Sequence, residues 1–503
     1  MPAGIHRVLP PARSLELFDT PSVRRAEAAA QATLAPHTLM RRAGLAVARL
    51  ALATHPHGQA IGVLAGPGNN GGDGLEAAMH LVQAGRRVTV HLLADPLQLP
   101  ADAAQSLQRA REAGAPVYTT LPSRIEADLL IDALLGLGLR RAPEGNIAEA
   151  IRLSHRFAGP VLAVDIPSGL HAETGARVGS EAVRATHTLS LLALKPGLFT
   201  GEGRELSGDI WHDSLGVDPG GTETPIARLN GVDGLFRHDR PLRHSQHKGS
   251  FGDVVVIGGA TGMAGAARLA GRGALAAGGG RVYLSPLDLD AGGDDARPEL
   301  MHRPAAWAPP QQLLSHATVA CGCGGGQAVA AVLDATLLGA PRLVLDADAL
   351  NSVAASPALQ TALAQRARHG QPTVLTPHPL EAARLLDCDT QAVQADRLRA
   401  AMHLATRFGA TVVLKGSGTV LAAPGRLPCI NPTGNALLAT AGTGDVLAGW
   451  IAGSWAQMPQ DTGWAAATAT VWLHGLAADE AAASGQRGPL RAADLIEAMH
   501  RLS

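Results

Sequence analysis

Short apolar runs that stop at a glycine or an acid recur along this 503-residue chain, each followed by a stretch of helical period. Such alternation predicts parallel strands covered by helices on both faces, with functional loops at the carboxyl ends of the strands. The runs fall into two blocks. In the first, Thr20-Pro21-Ser22 opens a helix, with Thr20 placed to cap it and Pro21 suited to its first turn. A second helix is expected over 38–53, where Leu39, Ala43, Ala46, Val47 and Leu50 share one face. The apolar run 60–65 then enters Gly66-Pro67-Gly68-Asn69-Asn70-Gly71-Gly72-Asp73-Gly74. Five glycines and two asparagines in nine residues predict a loop that lets the backbone approach a ligand closely, with a helix over 75–84 behind it. The spacing is neither that of the dinucleotide fingerprint nor that of a P-loop.

Two further runs in this block end in acids, one at Asp132 and one at Asp165 with Ser168 beyond it. The glycine-containing stretch 136–141 lies between them. Three strand ends (Asn69 with Asn70, Asp132, and Asp165 with Ser168) are therefore expected on one rim, where their oxygens could hold a hard cation.

The alternation stops after Trp211. The polar, turn-rich stretch 218–225 is the expected boundary between domains 1–225 and 226–503. Residues 237–248, with His238, His244 and His247, read as a solvated connector. The second block carries glycine turns at 261–265 and 321–326, Thr376-Pro377-His378-Pro379, and Lys415-Gly416-Ser417-Gly418-Thr419. It ends in Gly442-Thr443-Gly444-Asp445, followed by the small apolar residues of a buried helix over 446–452. A glycine turn at a helix start presents free N–H groups and the positive end of the helix dipole, which suits a phosphate. Asp445 in the first turn can accept a hydroxyl proton while those N–H groups stabilise a transferring phosphoryl group.

Composition removes other classes. The chain is 46% hydrophobic and 17% charged, as globular proteins are, and its net charge of −1 without a long basic run argues against nucleic acid. No run of about 18 apolar residues exists to span a membrane, and the N-terminus has no signal-peptide core. The cysteines (Cys321, Cys323, Cys388, Cys429) form no C-x-x-C pair, so reduced thiols in a cytoplasmic chain are expected, with no structural zinc.

Taken in order, GPGNNGGDG (66–74), Asp132, VDIPSG (164–169), HKGSFG (247–252), TGMAGAA (261–267), TPHP (376–379), KGSGT (415–419) and AGTGDVLAG (441–449) resemble the bifunctional NAD(P)H-hydrate repair enzymes. These fuse an NAD(P)H-hydrate epimerase to an ADP-dependent (S)-NAD(P)H-hydrate dehydratase of the ribokinase-like class. The resemblance covers nearly the whole chain. It implies an α/β fold of two domains, a Rossmann-like three-layer domain followed by a ribokinase-like three-layer domain. It also implies potassium held by Asn70, Asp132 and Ser168. The hydrated nucleotide would lie against Asn69, Asn70, Gly71, Gly72 and Asp73, against Gly136, Leu137, Gly138, Leu139, Arg140, Arg141 and Ala142, and against Asp165. In the second half, Ala264, Gly325, His378 and Asp445 would contact the hydrated nucleotide. Lys415, Gly416, Ser417, Gly418, Thr419 and Gly444 would contact ADP, the co-substrate, with Mg2+. The partners implied are hydrated NADH or NADPH and ADP, and a homo-oligomer is expected. The chain departs from the family pattern at Leu380 and Ala441, where glycine is usual, and at Ala436-Leu437-Leu438, which is less glycine-like.

The resemblance gives both acids a task. Asp445 would take the proton of a hydroxyl on a damaged nicotinamide ring as phosphate is attached to it. Asp165 would serve epimerisation at the same carbon. The alternative is a ribokinase-like small-molecule kinase with an N-terminal nucleotide-binding regulatory module, which would have no need of the glycine stretch 66–74. A non-catalytic NAD(P)-binding sensor would have no use for a positioned base at Asp165 or Asp445.

Overall fold

The computed structural model describes residues 4–234, 243–303 and 314–503. His238 of the connector lies outside the described residues. Internal contacts divide the chain into two units: residues up to Leu9 with Glu16–Arg228, and Pro10–Leu15 with Leu229–Ser503. Nothing in the sequence marks the short segment Pro10–Leu15 as belonging with the second unit.

The first unit is built on an eight-stranded sheet. Its order is His6–Arg7, Asp209–Asp213, His187–Leu191, Val161–Val164, Leu129–Ala133, Ala60–Ala65, Arg87–Leu92, Val117–Tyr118. All neighbours are parallel except the edge strand His6–Arg7. The central strands are apolar on both faces, as a covered parallel sheet requires. Val63, Ile131, Leu162 and Val164 pack under helices Thr38–Thr54, Asn69–Gln83 and Ala101–Glu112. Leu64, Leu130 and Val161 pack under helix Gly145–Arg156 on the other side.

Two local expectations are corrected here. Asp19, not Thr20, caps the first helix, its carboxylate accepting from Ser22 N at 2.8 Å. The glycine stretch is not a loop throughout, because helix Asn69–Gln83 begins inside it, with Gly68 as its cap. Packing explains the glycines. A Cβ on Gly66 would stand 1.7 Å from Leu134 O, one on Gly71 2.1 Å from Gly66 O, and one on Gly74 2.5 Å from Ala133 Cβ. Each glycine costs a helix about 1 kcal/mol relative to alanine. Close contact between helix and strand offsets that cost and brings Asn69, Asn70 and Asp73 onto the strand ends.

The second unit has seven parallel strands in the order Met301–His302, Arg281–Pro286, Asp253–Gly258, Thr318–Cys321, Arg342–Leu345, Thr373–Leu375, Thr411–Leu414. Val420–Ala422 and Cys429–Ile430 extend this sheet in antiparallel fashion. Val254, Val256, Val344, Val374 and Val413 face helices Ala264–Ala276 and Thr443–Ala456. The latter helix is twice the expected length, and its small residues are contact residues. A Cβ on Gly449 would lie 1.9 Å from Ala270 O, one on Gly453 2.3 Å from Ala274 O, and one on Gly273 2.9 Å from Val446 O. Among the described residues no helix is long and apolar enough to cross a membrane.

Candidate active sites

In the first unit three adjacent parallel strands, Ala60–Ala65, Leu129–Ala133 and Val161–Val164, end together. A cavity of about 740 Å³ lies at those ends, lined by Asn69, Asn70, Asp73, Gly136 to Arg141 and Asp165. Arg24, Glu27 and Asp102 also line it. Asp165 has φ = 65°, a left-handed conformation that a non-glycine residue adopts only when its surroundings hold it there. Its carboxylate is that hold: Oδ1 accepts from Leu191 N at 2.9 Å and from Lys195 Nζ. Lys195 is fully buried and also donates to Leu191 O at 2.7 Å. Removing either member would leave a buried charge without its partner. Two more carboxyls face this end of the cavity. Burial and then the charge of Asp165 push Asp73 well above the usual carboxylate range, and the same two causes raise Glu27.

The three residues of the implied potassium site meet around the Leu135 backbone. Asn70 Nδ2 donates to Leu135 O at 3.1 Å, and Leu135 N donates to Ser168 Oγ at 2.9 Å. Ser168 in turn donates to Asp132, from N to Oδ2 at 2.8 Å and from Oγ to Oδ1 at 2.6 Å. Asp132 is fully buried, and burial pushes its carboxyl up to about 6 despite these bonds. A buried carboxylate in a set of amide, hydroxyl and carbonyl oxygens is the donor chemistry of a hard cation.

The second site forms where Thr318–Cys321, Arg342–Leu345, Thr373–Leu375 and Thr411–Leu414 end. The residues just past those ends are Cys323, Asp346, Thr376 and Lys415. Asp445 joins them from the first turn of helix Thr443–Ala456, whose cap Gly442 has φ = 90°. Asp346 Oδ1 accepts from Thr376 Oγ1 and from Lys415 Nζ, each at 2.7 Å. Cys323 Sγ lies 3.8 Å from Asp346 Oδ2. Burial, with the Asp346 charge, pushes the Asp445 carboxyl up to about 6, against the opposing pull of the Cys323 thiol and Lys415. Burial works against the Lys415 ammonium too, yet Asp346 and Glu381 outweigh it and hold that group above its ordinary range.

His378 caps helix Pro379–Leu386. Its Nδ1 accepts from Leu380 N at 3.1 Å, and Glu381 Oε2 accepts from His378 N at 2.8 Å. Burial pushes Glu381 up to about 7. His474, held neutral because burial pushes it down to about 4, donates from Nε2 to Thr443 O at 3.0 Å. It pins the first turn of the Asp445 helix without adding charge.

Family models match both halves of the chain. One described as YjeF-related protein N-terminus covers residues 36–197, and one described as NAD(P)H-hydrate dehydratase covers residues 254–501. The bifunctional NAD(P)H-hydrate repair enzyme Nnr of Escherichia coli (strain K12) is 40% identical over 490 residues, covering 95% of this chain and 91% of that protein. The chain belongs to the bifunctional NAD(P)H-hydrate repair enzyme family. Its relative of that name in Coxiella burnetii is 36% identical over 499 residues, covering 95% of this chain and 98% of its own length. A solved ADP/ATP-dependent NAD(P)H-hydrate dehydratase from Bacillus subtilis, co-crystallized with ATP/Mg2+, is 29% identical and covers 52% of this chain and 92% of its own, with a TM-score of 0.42. As repair-enzyme halves, the two units are both α/β domains built on mainly parallel sheets.

Several of the residues that the family resemblance assigns to this repair enzyme have their side-chain positions packed against the fold or turned to solvent, which leaves their backbone atoms to meet a ligand. Gly71 and Gly72 are buried, facing the fold rather than the cavity; a Cβ on Gly72 would meet Met40 Cε at 2.7 Å. Ala142 packs against Gly179, where a Cβ would lie 2.6 Å from Ala142 Cβ. Gly325 is buried in its turn, against Val329, and Ala264 opens the helix Ala264–Ala276. Gly416 and Ser417 are exposed, while Lys415 turns inward to Asp346. Gly444 is beside that lysine: a Cβ there would be 3.5 Å from Lys415 Nζ.

Sequence reading missed Lys195, Glu27, Asp102 and His474. Lys195 left a signal, as the lone charge in the otherwise uncharged run 188–201. Glu27 and Asp102 left none, since each lies on a helix remote in sequence from the strand ends.

Proposed function

We propose that this chain repairs hydrated NADH and NADPH. The first unit interconverts the R and S forms of the hydrate, and the second dehydrates the S form at the expense of ADP, giving AMP and phosphate. The observation that carries this reading is Asp445, a partly buried carboxylate in the first turn after the anion-binding glycine turn, with Lys415 beside it.

The substrate bears a hydroxyl on the carbon next to the ring nitrogen. Hydroxide leaves poorly, and phosphate leaves well. Asp445 accepts the hydroxyl proton as the oxygen attacks the terminal phosphoryl group of ADP and AMP departs. The backbone N–H groups of the turn and the Lys415 ammonium stabilise the charge in transfer. The ring nitrogen's electron pair then expels phosphate, and loss of a proton from the neighbouring carbon restores the ring double bond. His378 and the backbone at Ala264 and Gly325 line the hydrated nucleotide, while Gly416 to Thr419 and Gly444 hold the adenine nucleotide.

In the first unit, Asp165 moves the proton that lets the hydroxyl leave and return on the opposite face of the ring. Lys195 and Leu191 N fix the direction of its carboxylate. Asn70, Asp132 and Ser168 would hold potassium, whose charge would compensate the buried Asp132 carboxylate. In the second site Asp346 and Asp445 offer the one or two carboxylates that Mg2+ takes from a protein when nucleotide phosphates and water fill its other places, so they would hold it together with ADP, where it would neutralise phosphate charge. Four free cysteines accord with a cytoplasmic chain.

NADH absorbance recovery, measured with ADP, ATP or neither, tests the second unit. Recovery with phosphate release is expected. Accumulation of a stable phosphorylated alcohol would instead establish the kinase reading. For the first unit, an Asp165→Asn protein given pure R hydrate should convert it no faster than buffer does; a normal rate would remove Asp165 from the mechanism.

A further inference from the structure

One side chain in the second site has no part in the reaction just described. Cys323 is 1% exposed. Its sulfur and one oxygen each of Asp346 and Asp445 lie within 4.8 Å of one another.

Three features make this a built arrangement. The first is aim. Asp346 Oδ1 is engaged by Thr376 and Lys415, which leaves Oδ2 facing the sulfur. Outer hydrogen bonds of this kind orient the ligands of metal centres. The second is charge. Asp346 and Asp445 place two carboxylates beside the sulfur, and one of them is bound to the Lys415 ammonium. The third is rigidity. Cys323 sits between Gly322 (φ = 120°) and Gly324 (φ = 58°), and the turn is tied to strand Asp253–Gly258 through Gly322 N to Ile257 O and Gly259 N to Cys323 O, each at 2.9 Å. The thiol and the two carboxylates thus share one largely buried space, with an oxygen or sulfur of each turned toward the others.

We propose that Cys323, Asp346 and Asp445 form an inhibitory site for a borderline-soft divalent cation, with Zn2+ as the ligand. Sulfur disfavours magnesium and calcium, whereas zinc accepts thiolate and carboxylate ligands in a four-coordinate shell with water in the remaining place. On binding, the Cys323 S–H proton is released to solvent and a sulfur–zinc bond replaces it, with no change of oxidation state. The ion occupies the carboxylate that accepts the substrate proton, so dehydration stops while epimerisation in the other unit continues. Inhibition rests on the dehydratase reading; metal binding does not.

The test uses the full-length protein with the exposed Cys388 replaced by serine, titrated with Co2+ and then Zn2+. A thiolate-to-cobalt charge-transfer band should appear, saturate at one ion per chain, be displaced by Zn2+, and be absent from Cys323→Ala. Thr376→Val keeps all three ligands and removes an outer hydrogen bond, so it should weaken Zn2+ binding about tenfold or more. Zn2+ should abolish ADP-dependent NADH recovery and leave R-to-S conversion intact. Cys323→Ala, referred to its own metal-free rate, should resist. No band in the folded parent, or an equal band in Cys323→Ala, overturns the site. A band without loss of recovery overturns its inhibitory role. Absence of any recovery before metal is added refutes the dehydratase reading instead, and the cobalt band still decides the binding.

Discussion

Replacing Asp445 by asparagine should make the protein inactive and more stable at the same time. In the folded chain burial moves this carboxyl from 3.8 to about 6. A displacement of about two units corresponds to about 3 kcal/mol, at about 1.4 kcal/mol per unit. The sign follows from which state binds the proton more tightly. Below about pH 4 the folded and unfolded chains both hold it, so the burial cost is absent; as pH rises through about 6 the folded chain must ionise a buried group and that stability is lost. The asparagine variant should therefore match the parent within about 0.5 kcal/mol at about pH 4 and exceed it by about 2–3 kcal/mol at about pH 7.5. The lower figure is favoured because Asp445 is only partly buried and solvent screens its charge. Urea unfolding followed by tryptophan fluorescence measures this, since Trp450, Trp455, Trp464 and Trp472 stand in helices of the second unit and report on it. Recovery of NADH should meanwhile fall by several orders of magnitude. A variant no more stable than the parent at about pH 7.5, or one that gains equally at both pH values, would refute the reasoning that a buried, ionised base is maintained here for function at the expense of the fold.

In the unsubstituted protein, NADH recovery at saturating substrate should fall about tenfold per pH unit below about pH 6, because the carboxylic acid cannot accept a proton; a flat profile down to about pH 5 contradicts this. Gly449→Ala should lower stability by about 1–3 kcal/mol, since its Cβ would stand 1.9 Å from Ala270 O, and an unchanged urea midpoint would show that the helices can separate freely. Lys195→Met should cost about 3 kcal/mol or more by orphaning the buried Asp165. It should also abolish R-to-S conversion while recovery from pure S hydrate survives, whereas full conversion would make Lys195 dispensable. Ser168→Ala should shift the potassium dependence of epimerisation to higher concentration; identical potassium curves for the two proteins would remove Ser168 from the cation set.

The parallel sheets were legible in the sequence because buried parallel strands are continuous aliphatic runs. Their acids at the carboxyl ends, Asp132 and Asp165, stand on neighbouring strands as expected. The stretch 66–74 was misread for a physical reason. Glycine's poor helix propensity is a local signal, and it was outweighed by contacts of Gly66 with Leu134 and of Gly74 with Ala133 on the neighbouring strand, which no local pattern reveals. The same limit applies to the cavity. Glu27 and Asp102 reach it from helices far away in the chain, and only packing tells them from other surface acids. In the second site Asp445 was legible from the turn that precedes it. The inward turn of Lys415 was not, because it depends on Asp346 lying across the sheet at a separation of 69 residues.

The glycine contacts between helices Ala264–Ala276 and Thr443–Ala456 carry an evolutionary consequence. Each helix begins at a turn assigned to the ligand in the proposed reaction, one at Ala264 and the other at Gly444 and Asp445, and Gly273, Gly449 and Gly453 leave no slack between their backbones. A sliding motion that adjusted one turn would drag the other with it. The pair is therefore inherited as a single cassette: a chimera that exchanges one helix with a relative should lose the register of both turns, whereas one that exchanges the two together can keep it. Sequence drift in this half of the protein should be freer on the outer faces of those helices than along the seam, where one added methyl group would meet the facing backbone at 1.9 to 2.9 Å.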